Sequence, residues 1–387
     1  MRLRAIIIGI VSGLLLGGVI GLLRGPRSLF PAVPLGEDGG KIVRVEMQYH
    51  PGAGALVAPI YSQFLAGAGK DVQVVWVVAQ SADLGDLQPR LGTAWPAGRC
   101  RAVVAGKEIS TWAKDRFVTM FTPGHAGDAV LCAPARRLTI NPLHTNDQEV
   151  PYLLAQQANT LFHVRETDVD FDGGDFLATA RHLFANPAII EKNQPGAGAR
   201  FHSTADLTDY LNRKLSAHIT WLGFSPAQSP PHHIGMYLTV MGHIAAVGDV
   251  RLAQRQSGPP GEILSALRQA GGPATPAFLT DLSARLDGVA RQLQALGYTV
   301  VRVPLLPSAT PKAWMSYNNG IVETRGGATI FYMPTFGAPT LDAAAAATFH
   351  QATGCTVIPI DCAKIWQLGG SLHCLVSVVE RKPSGGI

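Results

Sequence analysis

Five short polar motifs contain the residue types that covalent catalysis needs. In chain order they are Trp-x-x-Asp at 112–115, Phe-Asp-Gly-Gly-Asp at 171–175, His-His-Ile-Gly at 232–235, Ser-Tyr-Asn-Asn-Gly at 316–320 and Gly-Gly-Ser-Leu-His-Cys at 369–374. Together they supply a thiol, imidazoles, carboxylates and glycines that let backbone approach a ligand closely. A thiol beside an imidazole that is oriented by a carboxylate is an arrangement typical of nucleophilic catalysis.

The same order of predicted elements precedes each motif. An apolar helical stretch is followed by a short strand rich in β-branched residues, and the polar motif then opens a hairpin. The helices are predicted at Ala53, at Pro151, over 205–215, over 278–296 and over 341–353, and the strands over 72–78, at Phe162, over 218–222, over 298–303 and over 356–360. The motifs recur roughly every 55 to 85 residues, which is consistent with a closed ring of repeated units. Periodicity alone is equally compatible with an ordinary α/β domain.

In this order the motifs resemble those of the guanidine-modifying pentein enzymes, and the most similar members are the agmatine deiminases and the bacterial peptidylarginine deiminases. The resemblance covers nearly everything from Ile42 to Pro383. It implies an α/β fold, a five-bladed propeller of ββαβ units with pseudo-fivefold symmetry, and one catalytic domain over residues 42–383.

The resemblance also implies a reaction: hydrolysis of a guanidino group to a ureido group plus ammonia, through a covalent thiouronium intermediate and without a metal or an organic cofactor. The substrate would be a peptidyl-arginine, an agmatine-like molecule or an N-substituted arginine. A guanidinium is a planar cation that hardly ever loses its proton, so a site that hydrolyses it must supply carboxylates and a strong nucleophile. The motifs contain both.

By resemblance, Cys374 is the nucleophile, and a nearby cation would lower the pKa of its thiol. His233 would protonate the departing ammonia and then accept a proton from the water that resolves the intermediate. Asp172 stands where the family orients that histidine with a carboxylate. His232 is expected to point away, because adjacent residues of a strand face opposite sides.

Four further residues are expected to bind the substrate. Asp115 would hold the guanidinium, with Trp112 beside it. Asp175 and Asn319 are expected to contact the substrate as well. A carboxylate such as Asp115 can also be a helix cap or a surface charge, and its place in the Trp-x-x-Asp motif favours the binding role.

One position departs from the family pattern. Most deiminases of this superfamily read His-x-Asp, where the Asp is a second carboxylate on the guanidinium, and this chain has Gly235 there. A lost charge-assisted contact costs about 1.5 to 3 kcal/mol, which slows turnover by about one to two powers of ten. The dimethylarginine hydrolases also lack the Asp and accept N-substituted guanidines. We therefore expect a substituted or peptide-borne guanidine, with Asp175 as the nearest replacement carboxylate.

Two other functions are compatible with the motifs. In amidino transfer, an amine rather than water would resolve the same intermediate. In a non-catalytic pentein, the pocket would bind a guanidino ligand or a protein partner, and the loss at Gly235 would mark decayed activity. The retained thiol and imidazole favour catalysis, because a binding module needs no nucleophile.

The N-terminus predicts a membrane or signal segment over residues 1–24. Residues 5–23 form an apolar run of about 19 residues between arginines, close to the length that crosses a bilayer, although a cleaved signal is an alternative. We expect the catalytic domain outside the cytoplasm. Glycines on one stripe of this helix would allow a homodimer; they are Gly9, Gly13, Gly17 and Gly21.

Composition narrows the remaining possibilities. With 47% hydrophobic and 15% charged residues the chain is globular, and the net charge of +5 indicates no nucleic-acid partner because much of it lies near the N-terminus. The five cysteines have no metal-ligand spacing, so no metal site is predicted. Residues 25–41 are rich in Pro and Gly and predict a linker.

Overall fold

The computed structural model describes residues 31–124, 127–136, 142–223, 225–256, 258 and 260–382. The predicted membrane or signal segment, residues 1–24, lies outside the described residues. Among the helices that are described, none has the length and apolarity needed to cross a bilayer.

Within the described residues, eighteen strands form five sheets. In chain order they are β1 (Val33–Pro34), β2 (Lys41–Tyr49), β3 (Gln73–Val78), β4 (Cys100–Val104), β5 (Val118–Phe121), β6 (Ala129–Ala133), β7 (Phe162–Glu166), β8 (Phe176–Ala178), β9 (Leu183–Ala185), β10 (Ile219–Trp221), β11 (Leu238–Met241), β12 (Ile244–Asp249), β13 (Thr299–Pro307), β14 (Trp314–Ser316), β15 (Ile321–Arg325), β16 (Ala328–Thr335), β17 (Thr356–Asp361) and β18 (Val376–Lys382).

Every sheet is built around the same three-strand pattern. An antiparallel pair is extended by a third strand that runs parallel to the second, as in β5-β6-β7, β8-β9-β10, β11-β12-β13, β15-β16-β17 and β18-β2-β3. Strands β1, β14 and β4 extend three of the sheets at their edges. Because β18 pairs with β2, the two ends of the described domain meet in one sheet.

A parallel connection needs a crossover, and in each sheet the chain between the second and third strands contains a helix. The described α-helices are α1 (Gly54–Gly67), α2 (Ala82–Leu91), α3 (Val150–Gln157), α4 (Ala188–Asn193), α5 (Thr204–Leu215), α6 (Val250–Gln256), α7 (Pro260–Arg268), α8 (Pro276–Ala295), α9 (Pro339–Thr353) and α10 (Leu372–Leu375). The five predicted pairs of helix and strand are confirmed as α1-β3, α3-β7, α5-β10, α8-β13 and α9-β17.

Helix α5 illustrates why the sequence forms these elements. The Ser203 side chain accepts a hydrogen bond from the backbone N–H of Asp206 and so caps the first turn. Leucines spaced four residues apart form its buried face, because this spacing places them on one side of the helix. They are Leu207, Leu211 and Leu215.

The five polar motifs each lie directly before the first strand of a sheet. These first strands surround one cavity, to which each contributes at least one side chain. The lining residues include Val118 of β5, Leu177 of β8, Leu238 of β11, Ile321 of β15 and Val376 of β18. Because the motifs precede strands that line the same cavity, residues far apart in sequence are brought close together.

The linker predicted for residues 25–41 needs correction. Its described part packs on the domain: β1 pairs with β5, and the backbone N–H of Glu37 donates to Ala178 in β8 over 2.8 Å. The backbone C=O of Gly40 accepts from Thr324 in β15. We name residues 33–40 the N-terminal strap. Only two residues of the strap pair as a strand, so its sequence shows no strand periodicity. Its Pro and Gly content alone therefore predicts a linker.

Candidate active site

Cys374 lies within the short helix α10, directly before β18. The residue is 5% exposed, and its backbone N–H donates to the carbonyl oxygen of Ser371 over 3.2 Å. A side chain at Gly370 would bring its Cβ within 2.9 Å of both the Cys374 sulfur and the Trp112 ring. Glycine at 370 therefore lets the loop, the indole and the thiol pack together.

His233 lies between the thiol and three carboxylates. Its Nε2 is 3.5 Å from Asp172 Oδ2 and 4.0 Å from Asp175 Oδ1, and its Nδ1 is 3.8 Å from Asp115 Oδ1. Burial lowers the pKa of this imidazole, but hydrogen bonds with Asp172 and Cys374 and the charges of the other carboxylates outweigh burial and raise the pKa well above its usual value. His233 is therefore an imidazolium at neutral pH, the form that can protonate a leaving amine.

Behind His233, one lysine joins two of these carboxylates. Lys192 Nζ, on α4, donates to Asp172 Oδ2 over 2.7 Å and to Asp175 Oδ2 over 2.5 Å. Burial raises the pKa of Asp172, but the hydrogen bond with His233 and the charge of Lys192 hold it well below its usual range. Asp172, Asp175 and His233 are close enough together to ligate a metal, and the ammonium of Lys192 already supplies a cation there.

Asp175 is enclosed by neighbouring residues of the site. The residue is 2% exposed, and its Oδ2 also accepts the backbone N–H of Asp172 over 2.9 Å. Its carboxylate thus closes the turn that presents Asp172 to His233. Its predicted contact with the substrate, in place of the carboxylate missing at position 235, stays a prediction.

The Cys374 thiol is activated from two sides. Burial raises its pKa, whereas hydrogen bonds with His233 and His373 lower it, and the net result is a pKa of about 7 against an ordinary value of 9. A substantial fraction of the sulfur is thiolate at neutral pH, which is the nucleophilic form.

His373, the second histidine at the thiol, has a carboxylate of its own. Its Nε2 lies 2.5 Å from Glu37 Oε2, and Glu37 Oε1 accepts from Lys114 Nζ over 2.7 Å. Burial lowers the pKa of His373, and the charge of Glu37 overcomes this and raises it. Sequence patterns did not predict these roles of Glu37 and Lys114; the only signal was the place of His373 next to the nucleophile.

His232 points away from the thiol, as predicted. Its Nε2 lies 2.9 Å from the carbonyl oxygen of Lys312, and its Nδ1 accepts the backbone N–H of His233 over 2.9 Å. Burial and the neighbouring charge of His233 lower its pKa to about 3. Alternation along a strand is not the cause of this direction, because His233 precedes a 3-10 turn at Ile234–Met236 and is not part of a strand.

Asp115 and Trp112 form the side of the site opposite the carboxylate pair. Asp115 lies in a 3-10 turn at Ala113–Arg116, and its side chain is 17% exposed where it approaches His233. Trp112 is partly buried against the core residues beneath it. The structure therefore brings together Cys374, His233 and Asp115, the three residues on which the predicted chemistry depends.

Asn319 holds the cysteine loop in place, and its predicted contact with the substrate stays a prediction. It is fully buried, and its Oδ1 accepts from both the backbone N–H and the Oγ of Ser371, each over 2.9 Å. Its backbone C=O accepts the N–H of His373 over 3.0 Å. Asn319 thereby positions Ser371 and His373, which lie just before the nucleophile.

The structure gives a physical reason for glycine at position 235. A Cβ there would lie 2.8 Å from His373 Nδ1 and 3.0 Å from His373 Cε1. The imidazole of His373 occupies the space that an aspartate side chain would need. The departure from His-x-Asp is thus coupled to the placement of His373.

Comparisons with known proteins find deiminases similar to this chain in sequence and in fold. Residues 259–378 match the sequence profile of the Porphyromonas-type peptidyl-arginine deiminase family. The substrate-bound agmatine deiminase of C. jejuni matches 91% of this chain and 98% of its own, with a TM-score of 0.63 and 12% identity. The agmatine deiminase of Enterococcus faecalis matches with a TM-score of 0.61 over 91% and 96% of the two chains, also at 12% identity. No curated protein sequence matches the chain.

At 12% identity the structural likeness establishes the fold. The α/β fold and the resemblance that the five motifs predict are confirmed. The predicted enzyme class, a hydrolase of C–N bonds, agrees with the matched family and with the matched structures.

Proposed function

We propose that the chain, which has the fold of the agmatine deiminases and matches a peptidyl-arginine deiminase family over residues 259–378, hydrolyses a guanidinium group to a ureido group and ammonia. The observation that carries the proposal is the meeting of the Cys374 thiol, the His233 imidazole and the Asp115 carboxylate in one site.

In the first half of the reaction, the Cys374 thiolate attacks the guanidinium carbon and a C–S bond forms. Asp115 holds the planar cation by charge-assisted hydrogen bonds. His233 gives its proton to one amino group, the C–N bond breaks and ammonia leaves. The product is a thiouronium on Cys374, with His233 now neutral.

In the second half, water attacks the thiouronium carbon while neutral His233 accepts a proton from it. The C–S bond then breaks and Cys374 returns to the thiolate. The ureido product leaves as the hydroxyl proton of the tetrahedral intermediate is released to solvent, where the departed ammonia takes it up. Water contributes the oxygen and ammonia leaves as ammonium, so the site is regenerated without an oxidant or a metal. Asp172 keeps the imidazole oriented through both transfers.

We further propose that the five sheets form a closed propeller of ββαβ units. The shared strand pattern, the pairing of β18 with β2 and the cavity lined by five first strands support it.

For the substrate, we propose a guanidinium that carries a substituent, either peptide-borne or N-methylated. The support lies at Gly235, where no carboxylate stands and the space is taken by His373. A site with one carboxylate fewer offers fewer acceptors to an unsubstituted guanidinium, so it discriminates less against an N-substituent.

The deciding experiment measures ammonia and ureido product from a panel of free, methylated and peptidyl arginines and agmatine, with Cys374→Ala as control. We expect turnover that depends on Cys374 and is fastest with a substituted or peptidyl substrate. Faster turnover of free arginine or agmatine would overturn the substrate class. Absence of product from every substrate would overturn the reaction.

Two variations separate the alternatives. Added glycine would become amidinated if the intermediate were resolved by an amine, which would indicate amidino transfer. A haloacetamidine should label Cys374 selectively at neutral pH, because only an activated thiolate reacts there. An unreactive Cys374 would favour the non-catalytic binding protein.

We also propose that residues 1–24 are a membrane anchor or signal and that the domain lies outside the cytoplasm. The apolar run over 5–23 between arginines supports this. Protease digestion of intact cells should remove the domain while a cytoplasmic marker survives.

A further inference from the structure

We propose that Glu37, on the N-terminal strap, is a positioning residue that holds His373 as an imidazolium against the Cys374 thiolate. The inference rests on the proposed function and adds a second carboxylate that acts on the nucleophile from outside the family motifs. Lys114 fixes that carboxylate from its other side.

Glu37 is held by contacts that leave its carboxylate little freedom. Its backbone N–H is bound to Ala178 in β8, and its two oxygens are divided between His373 Nε2 at 2.5 Å and Lys114 Nζ at 2.7 Å. The side chains of Glu37 and His373 are 20% and 12% exposed. Since Glu37 takes Nε2, the remaining ring nitrogen, Nδ1, is left to face the thiol.

The charges around His373 determine the effect of Glu37. The imidazole is faced by Glu37, Lys114 and the Cys374 sulfur, and Arg381 also acts on Glu37 from β18. Glu37 is thus the carboxylate in direct contact with His373. Without its charge, the imidazole would face the Lys114 cation with the Cys374 sulfur as its remaining anionic neighbour, and its protonated form would be less favoured.

Gly235 and Glu37 belong to the same arrangement. Glycine at 235 leaves room for the His373 ring, whose Nδ1 would be 2.8 Å from a Cβ there. The strap then brings a carboxylate to the opposite end of that ring. Position 235 thus lacks a negative charge that would act on the substrate. Glu37, near the N-terminus of the domain, supplies a negative charge that acts on the nucleophile instead.

The test follows the rate at which iodoacetamide alkylates Cys374 as a function of pH, measured on the Cys374 peptide by mass spectrometry. Wild type should show a midpoint near 7. Glu37→Gln should move the midpoint upward and reduce labelling at pH 6.5 by roughly five- to tenfold. The matched control is Asp38→Asn, which removes a neighbouring carboxylate of the strap. The amide oxygen of the new side chain can still accept the backbone N–H of Ala180. The alkylation profile of this variant should equal that of wild type.

Two further measurements separate positioning from a structural role. In turnover, Glu37→Gln should lower kcat with little change in KM, and the loss should shrink above pH 8.5, where the thiol ionises without help. In a His373→Asn background, Glu37→Gln should have no further effect on the midpoint, because Glu37 acts through that ring.

An unchanged midpoint in a folded Glu37→Gln protein would overturn the inference, as would a full effect in the His373→Asn background. If Glu37→Gln does not fold, His373→Asn alone should give the same upward shift, and its absence would also count against the inference. A wild-type midpoint at the ordinary value of a free thiol would instead overturn the proposed function, so the two failures are distinguishable.

Discussion

The two sides of the Cys374 thiol are built from the same three chemical groups. On each side an imidazole contacts the sulfur, a carboxylate contacts the imidazole and a lysine contacts the carboxylate. The sets are His233, Asp172 and Lys192 on one side and His373, Glu37 and Lys114 on the other.

The two sides differ in what else surrounds the imidazole. His233 is 22% exposed and has three carboxylates within about 4 Å, whereas His373 is 12% exposed and contacts Glu37. An accessible imidazole can exchange protons with substrate and water, while an enclosed one serves as a fixed charge. The comparison therefore favours the proposed division, with proton transfer at His233 and electrostatic stabilisation at His373.

The strongest way to break the comparison is to remove the proton-transferring side. His233→Asn should lower kcat by about 10³- to 10⁴-fold, because it removes both the acid for ammonia and the base for water. Single-turnover ammonia release and mass spectrometry of trapped thiouronium measure it. If His373→Asn proved equally damaging at every pH, the division of roles would be wrong.

A smaller effect is expected from displacing His233 without removing it. A Cβ at Gly174 would lie 2.5 Å from His233 Nδ1, so Gly174→Ala must push the ring away from its carboxylates and the thiol. We expect kcat to fall by about 10²-fold, the usual result of a misplacement of about 1 Å. The control is Gly85→Ala in α2, where a Cβ meets nothing within 4 Å and activity should be unchanged.

Sequence predicts the framework of this site better than its charges. The helix and strand before each motif are readable because their apolar periodicity is local, as in α5 and β10. The motif residues Cys374, His233 and Asp115 meet because the units that carry them repeat. Neither step requires knowledge of a side-chain direction.

Glu37 was not predictable, for a physical reason. It lies 336 residues from His373 along the chain and on a strap whose Pro and Gly content is that of a linker. The hydrogen bonds of Asp175 and Asn319 were not predictable either, because a motif fixes where a residue lies but not where its oxygens point. Both turned out to hold other site residues in place.

Displacing His373 should have a still smaller effect that depends on pH. Gly235→Ala would place a Cβ 2.8 Å from its Nδ1, and the ring cannot move freely because Glu37 holds its other nitrogen. We expect kcat/KM to fall roughly tenfold at pH 6.5 and much less at pH 8.5, since a weaker imidazolium contact raises the pKa of Cys374 from about 7. A loss that is equal at both pH values would indicate misfolding or a lost substrate contact instead.

The smallest effect on the thiol is expected at His232, which makes it the control for both charged imidazoles. Its pKa of about 3 leaves it neutral wherever Cys374 titrates, so His232→Asn should leave the pH midpoint of Cys374 alkylation unchanged. Asparagine cannot reach both Lys312 and the His233 N–H as the imidazole does, and the lost buried hydrogen bond should cost about 1 to 3 kcal/mol of unfolding free energy. Denaturant unfolding and the alkylation profile measure the two quantities separately. A shifted midpoint with unchanged stability would mean that His232 carries charge, and the distinction between it and the two catalytic-site imidazoles would fail.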